Sequence, residues 1–237
     1  MSISRKRTII LISGRGSNMA SLIEAASERS FPAEIVGVIS DKADARGLHI
    51  AASRGLPARI IARSDFSSKE AHDAAIDDAL STFEAEIVCL AGYMRLLTTG
   101  FVEKWQGRML NIHPALLPAF RGLDTHTRAL EAGMRIHGCT VHFVTAETDS
   151  GPIIAQAAVP VLLDDTEATL AARVLKAEHH LYPLALRMVA LGMARMEGGR
   201  TVFADTSLVE QTAGGFLSSP SAVREAVDLE QLARFTP

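Results

Sequence analysis

The 237-residue chain has few of the features that mark an extreme environment or a metal centre. It holds two cysteines, Cys89 and Cys139, each inside an apolar run and neither in a C-x-x-C pair. A disulfide scaffold is therefore disfavoured, and buried free thiols in a reducing compartment are expected. Charge of one sign is also scarce. The formal net charge is −3, which gives no reason to expect a nucleic-acid or membrane partner. The N-terminal stretch "MSISRKRTIILIS" starts basic, but its apolar run stops at Ser13 and Gly14. That run is too short for a signal-peptide core or a membrane span, so a soluble cytoplasmic protein is expected. No G-x-S-x-G elbow is present to carry serine-hydrolase chemistry. His179 and His180 are adjacent, so on a helix they diverge by about 100° and cannot share a metal. No metal is expected, and there is neither an internal repeat nor a low-complexity linker.

What is present is ordinary globular composition, with 48% hydrophobic and 22% charged residues. Thr8 to Ile12 is a short β-branched run bounded by glycine, as in a buried parallel strand. A helical stretch "MASLIEAASER" follows, with Ser17 or Asn18 as its expected cap. Strands are then expected over 33–40, 58–62, 86–92 and 107–113, with helices over 45–55 and within 64–83. This alternation predicts an α/β fold: a doubly wound, mostly parallel, Rossmann-like sheet. After residue 125 the rhythm changes. "THTRALEAG" reads as a helix, and "CTVHFV" and "PIIAQAAVPV" as strands with antiparallel pairing at the sheet edge. Residues 166–192 read as one long helix or two, with Pro183 a kink or break. A last amphipathic pattern spans "SAVREAVDLEQLARF". The expected division is a catalytic domain over 1–205 and an extension over 206–237.

"ISGRGSN" joins the first strand to the first helix. Backbone amides of such a loop, with the free N–H groups of the helix start, make a phosphate site. Glycines 14 and 16 permit close approach, and Ser17 and Asn18 add side-chain donors. The plainer reading is a tight strand-to-helix turn. A dinucleotide fingerprint would need glycine at position 19, which is Met19. Asp41, at the end of the second strand, nonetheless imitates the acidic ribose ligand of nicotinamide enzymes, so that class stays open.

In "NIHPALLPAF" the residue before Pro114 is pushed toward extended geometry. Side chains then alternate: Asn111 and His113 share one face and Ile112 takes the other. A neutral amide donor beside a cationic imidazole suits an oxygen that gains negative charge. Alone, such a pair points first to a plainer role, a polar turn bonded to its own backbone. To stay cationic, a histidine of ordinary pKa near 6.5 needs a carboxylate neighbour. Asp149 in "TDSGP" is the best candidate, because Asp164 and Asp165 read as helix-start residues. Among the other histidines, 49 and 72 read as helix-surface groups. His126, His137 and His142 either line a cleft or are satisfied structural groups.

"ISGRGSN", "LAGYMRLL", "GRMLNIHPALLPAFRGLDTHTRALEAG", "HGCTVHFVT", "TDSGPIIAQ" and "AEHHLYPL" occur in that order. Together, over about residues 7 to 195, they closely resemble the phosphoribosylglycinamide formyltransferases, folate-dependent enzymes of purine synthesis. The resemblance implies transfer of a formyl group from the co-substrate 10-formyltetrahydrofolate to the amine of glycinamide ribonucleotide. It implies that Asn111, His113 and Asp149 are catalytic. Gly16, Ser17, Asn18 and Glu178 would bind the ribonucleotide. Lys69, Met94, Arg95, Leu96, Leu97 and Asn111 would contact the folate. Two departures stand out: Lys69 where some members have arginine, and Ala115 in place of a frequent serine. Within the same superfamily a formyltetrahydrofolate deformylase is the alternative, and a methionyl-tRNA formyltransferase fits the charge and length poorly. A monomer or homodimer acting on small molecules is expected.

Overall fold

The computed structural model describes residues 4–204 and the two-residue strand Ser218–Ser219. The helix expected over 221–235 lies outside the described residues. In chain order the elements are β1 (Lys6–Ile12), α1 (Ser17–Ser27), β2 (Ala33–Ser40), α2 (Arg46–Ser53) and β3 (Ala58–Ile60). Next come α3 (Lys69–Thr82), β4 (Ile87–Leu90), α4 (Thr99–Lys104), β5 (Met109–His113) and α5 (Thr125–Glu131). The rest are β6 (Ile136–Phe143), β7 (Ile153–Pro160), α6 (Glu167–Ala190), β8 (Ala194–Glu197), β9 (Arg200–Phe203) and β10 (Ser218–Ser219).

The main sheet has the order β3-β2-β1-β4-β5-β6-β7-β10. Strands β3 to β5 across that order are parallel. β6 is antiparallel to both β5 and β7, as the change of rhythm after residue 125 predicts. The order reverses direction at β1, so the carboxyl ends of β1 and β4 face a topological switch point.

Alternation explains why the strands read as continuous apolar runs. Ile10, Ile12, Cys89, Leu110 and Ile112 point into one core layer, where α1 and α6 contribute Leu22, Ile23, Leu181 and Leu186. Ile9, Leu11, Val88, Leu90 and Met109 point into the other, against Ile76 and Leu80 of α3 and Phe101 of α4. Both faces of the central strands β1 and β4 are covered, so their apolar runs show no polar alternation. Cys89 and Cys139 are buried free thiols, and burial pushes the Cys89 thiol up to about 12.

α6 is one 24-residue helix with Pro183 inside it, opened by a Thr166–Thr169 capping box. An interior proline costs about 3 kcal/mol or more. Full burial of Leu170, Leu181 and Leu186 offsets that, at about 2 kcal/mol for each side chain. Tyr182 adds a hydroxyl that reaches the carbonyls of Leu90 and Leu110, 3.1 Å from each. Its neighbours therefore keep the helix whole across the proline.

Three further details differ from the sequence reading. The six-residue α4 and the β8–β9 hairpin are additional elements. α1 is entered through Gly16 with no side-chain cap, so Ser17 and Asn18 occupy its first turn instead of capping it. His72 is not on a helix surface. It is buried, with Nε2 2.8 Å from the Ile61 carbonyl and Phe66 edge-on at 5.4 Å, because α3 packs down on that segment. Among the described residues no helix is long and apolar enough to cross a membrane.

Candidate active site

Two cavities open along the carboxyl edge of the parallel strands. The larger, about 630 Å³, is lined by residues 13–18, Gly92, Met94, His126 and the α6 residues Ala168 to Glu178. The smaller, about 130 Å³, is lined by Arg95, Leu96, Leu97, Asn111, His142 and Asp149 among others.

The larger cavity is built mainly from backbone. Gly16 has φ 76°, and a Cβ there would lie 2.7 Å from the Cα of Gly47. Only glycine meets both demands without strain. With no side chain capping α1, the first-turn N–H groups face the loop unopposed, the arrangement that binds anions. Asn18 Nδ2 donates to Glu178 Oε2 at 2.7 Å, while Asn18 Oδ1 is buried without a partner. Burial pushes the Glu178 carboxyl up, opposed by the Asn18 hydrogen bond and by Arg15.

The polar pair sits where alternation predicts. Leu110 and Ile112 face the α6 layer and Met109 the other, so Asn111 and His113 share the Met109 face. His113 Nδ1 lies 3.4 Å from Asp149 Oδ2, and its Nε2 lies 2.9 Å from the Phe120 carbonyl. Asp149 Oδ2 also accepts from Gly122 N–H at 2.9 Å, and its Oδ1 stands 3.8 Å from His142 Nε2.

His142 fixes the orientation of Asn111. Burial lowers its pKa, so it is neutral near pH 7. Its Nδ1–H donates to the Phe143 carbonyl at 2.9 Å, which leaves Nε2 as an acceptor for Asn111 Nδ2 at 3.2 Å. The second amide proton of Asn111 then remains available toward the small cavity.

Asp149 arrives through the β6–β7 loop. The loop closes at Gly151, where a Cβ would sit 1.7 Å from the Phe143 carbonyl oxygen, so no other residue fits. Asp149 itself is left-handed at φ 51°, as are Phe120 at 55° and Asp124 at 56°. Strained backbone of this kind concentrates at functional centres.

The expected folate contacts divide. Arg95, Leu96, Leu97 and Asn111 line the small cavity. Met94 instead lines the large one, its backbone N–H on Ser13 Oγ at 2.8 Å. Lys69 is not among the lining residues, and its Nζ donates to the Leu97 carbonyl at 3.0 Å. Asp41 is not free to hold a ribose, since its buried carboxylate takes Arg95 Nε at 3.0 Å.

The formyl transferase profile matches residues 6–186. The chain belongs to the formyl transferase family. Within that family it is 50% identical over 197 residues to the trifunctional purine biosynthetic protein adenosine-3 of Bos taurus, covering 83% of this chain. It spans only 20% of that protein's length. It is 44% identical to the phosphoribosylglycinamide formyltransferase of Escherichia coli (strain K12), covering 79% of this chain and 89% of that one. The crystal structure of a phosphoribosylglycinamide formyltransferase from Brucella melitensis shares 61% identity and a TM-score of 0.77, over 80% of this chain and 97% of that one. A formyltetrahydrofolate deformylase from Pseudomonas syringae has the same fold at 25% identity.

Sequence reasoning did not assign three residues that contact the Asn111–His113–Asp149 group: Phe120, Gly122 and His142. Phe120 and Gly122 act through backbone atoms, which carry no residue-type signal. His142 was detectable, since it shares a strand face with Thr140, but nothing in "TVHFV" distinguishes a cleft histidine from a structural one. His126 lines the large cavity. His137 packs against it at 5.3 Å, with its pKa lowered to about 4 by burial.

Proposed function

We propose that the protein transfers the formyl group of 10-formyltetrahydrofolate to the amine of glycinamide ribonucleotide, a step of purine biosynthesis. The observation that carries this reading is the convergence of Asn111, His113 and Asp149 between an anion-binding loop and a second cavity. The names of the relatives support the substrates. Residues 1–205 form the catalytic unit, which works in the cytoplasm as a monomer or homodimer and needs no metal.

The ribonucleotide phosphate sits on Gly16, Ser17 and Asn18, and Glu178, hydrogen-bonded to Asn18, binds the ribonucleotide beside them. The folate sits against Arg95, Leu96, Leu97 and Asn111, with Met94 at the junction and Lys69 near the same loop. Attack of the amine nitrogen on the formyl carbon forms one C–N bond and turns the carbonyl oxygen into an oxyanion. The free amide proton of Asn111 and the protonated His113 donate to that oxygen. His113 does so by exchanging its Phe120 carbonyl partner for the oxyanion. Asp149, 3.4 Å from Nδ1, orients the imidazole. Collapse breaks the C–N bond to the folate, and the proton lost by the amine ends on the departing folate nitrogen, passed by way of Asp149.

The test is a spectrophotometric transfer assay with and without ribonucleotide. Folate turnover that depends on both substrates is the expected result. Rapid formate release from formyl folate alone would replace this reading with the deformylase one, which the 25% identity of that neighbour and the built anion loop disfavour.

A further inference from the structure

Asp41 is the residue that the proposed reaction leaves without a role. It follows β2, its side chain is 1% exposed, and one carboxylate oxygen meets Arg95 Nε at 3.0 Å. The other oxygen is buried without a partner, as is the hydroxyl of Tyr93. Arg95 is by contrast 48% exposed and lines the small cavity. Burying a carboxylate to meet one nitrogen of a half-exposed arginine is a costly arrangement, and a surface charge pair would not need it.

The segment from Gly92 to Thr98 is held from outside at several points, among them a 3.2 Å hydrogen bond from Ser13 N–H to the Gly92 carbonyl. Ser13 Oγ accepts from Met94 N–H at 2.8 Å, and Lys69 Nζ donates to the Leu97 carbonyl at 3.0 Å. Asp73 Oδ2 accepts from Thr98 N–H at 2.6 Å. All of these grip backbone. Asp41 alone grips a side chain, and it does so at Nε, the inner corner of the guanidinium. Among the described residues, no protein group takes the two terminal nitrogens of Arg95. A guanidinium is planar and rigid, so pinning Nε fixes where those donors point.

We propose that Asp41 is a positioning residue for the folate side: by holding Arg95 Nε it aims the terminal N–H groups of Arg95 at an acceptor oxygen of the bound folate. This rests on the reading of the small cavity as the folate site. Without Asp41 the arginine swings into solvent and must be ordered again on each binding event. That ordering corresponds to a loss of about three- to tenfold in folate affinity.

The experiment compares Asp41→Ala, Asp41→Asn, Arg95→Ala and the double variant Asp41→Ala/Arg95→Ala in full-length protein. It combines two-substrate kinetics with equilibrium titration by tetrahydrofolate. Asp41→Ala is expected to raise the folate KM and Kd about three- to tenfold, with kcat and the ribonucleotide KM within about twofold. Asp41→Asn keeps an acceptor for Nε and is expected to recover part of that loss, and it carries the test if the alanine variant does not fold. The double variant should match Arg95→Ala alone, because Asp41 acts only through Arg95. Unchanged folate affinity in both Asp41 variants, or multiplicative losses in the double variant, would overturn the inference. A wild-type protein that neither binds tetrahydrofolate nor transfers formyl would sink the proposed function and this inference with it. Normal wild-type turnover with unaffected Asp41 variants would sink the inference alone.

Discussion

The large cavity and the Asn111–His113–Asp149 centre lie on the same edge of the sheet, but they are made from different materials. The first is a contiguous loop, residues 13–18, whose ligand-facing groups are mostly main-chain amides shaped by Gly16 against Gly47. The second joins side chains and carbonyls from residues 111, 113, 120, 122, 142 and 149, and no two of its segments are held together by local chain geometry. A backbone site tolerates side-chain change and fails when the chain path changes. A convergent side-chain site fails as soon as one of its side chains changes.

The largest expected effects test that contrast at the side-chain centre. Asn111→Ala and Asp149→Asn should each lose about a hundred- to a thousandfold in kcat, the usual cost of an oxyanion donor or its support. Ribonucleotide affinity should survive in both. Near-normal turnover in either would break the contrast. Next comes Gly16→Ala, which forces a Cβ into left-handed backbone and into Gly47. It should lower stability by about 1–2 kcal/mol and raise the ribonucleotide KM, measured by thermal melting and two-substrate kinetics. The folate KM should stay near wild type.

Glu178 sharpens the comparison from the one distant side chain that the backbone site recruits. Its carboxyl is raised by burial, so the folded state binds the proton more tightly than the unfolded one. Stability is then lost as pH climbs from the ordinary carboxylate value through the raised folded value. Glu178→Gln should therefore melt higher than wild type near neutrality, converge with it in acid, and bind ribonucleotide more weakly. A melting curve with the same pH dependence in both proteins would remove Glu178 as a strained functional group. The smallest effect is expected at the rim, where Arg121 and Glu147 pair at 3.2 Å in the open. Such pairs contribute about 0–1 kcal/mol, so Glu147→Gln should stay within about twofold in every kinetic constant.

Much of the fold was legible before any coordinates. The expected strand over 33–40 coincides with β2, because a β-branched run ended by polar residues has few alternatives. The shared face of Asn111 and His113 followed from strand alternation before Pro114. What escaped has physical reasons. α4 is six residues long, too short for a helical period to stand out. The β8–β9 turn carries Gly198 and Gly199 at positive φ, a hairpin signal that sits among residues otherwise lacking strand character. His72 looked like a surface group because sequence does not say which side of α3 meets the 61–66 segment.

The amino-acid order by itself determined the α/β alternation, the tight glycine loop and the pairing of Asn111 with His113, because each depends on dihedral preferences and periodicities within a few residues. Only the tertiary structure decided that Asp149 meets His113, that His142 orients Asn111, and that Asp41 serves Arg95 instead of a ribose. Those contacts span tens of residues: the first two depend on the register of β5 against β6 and the return of the loop at Gly151, the third on β2 and β4 flanking β1.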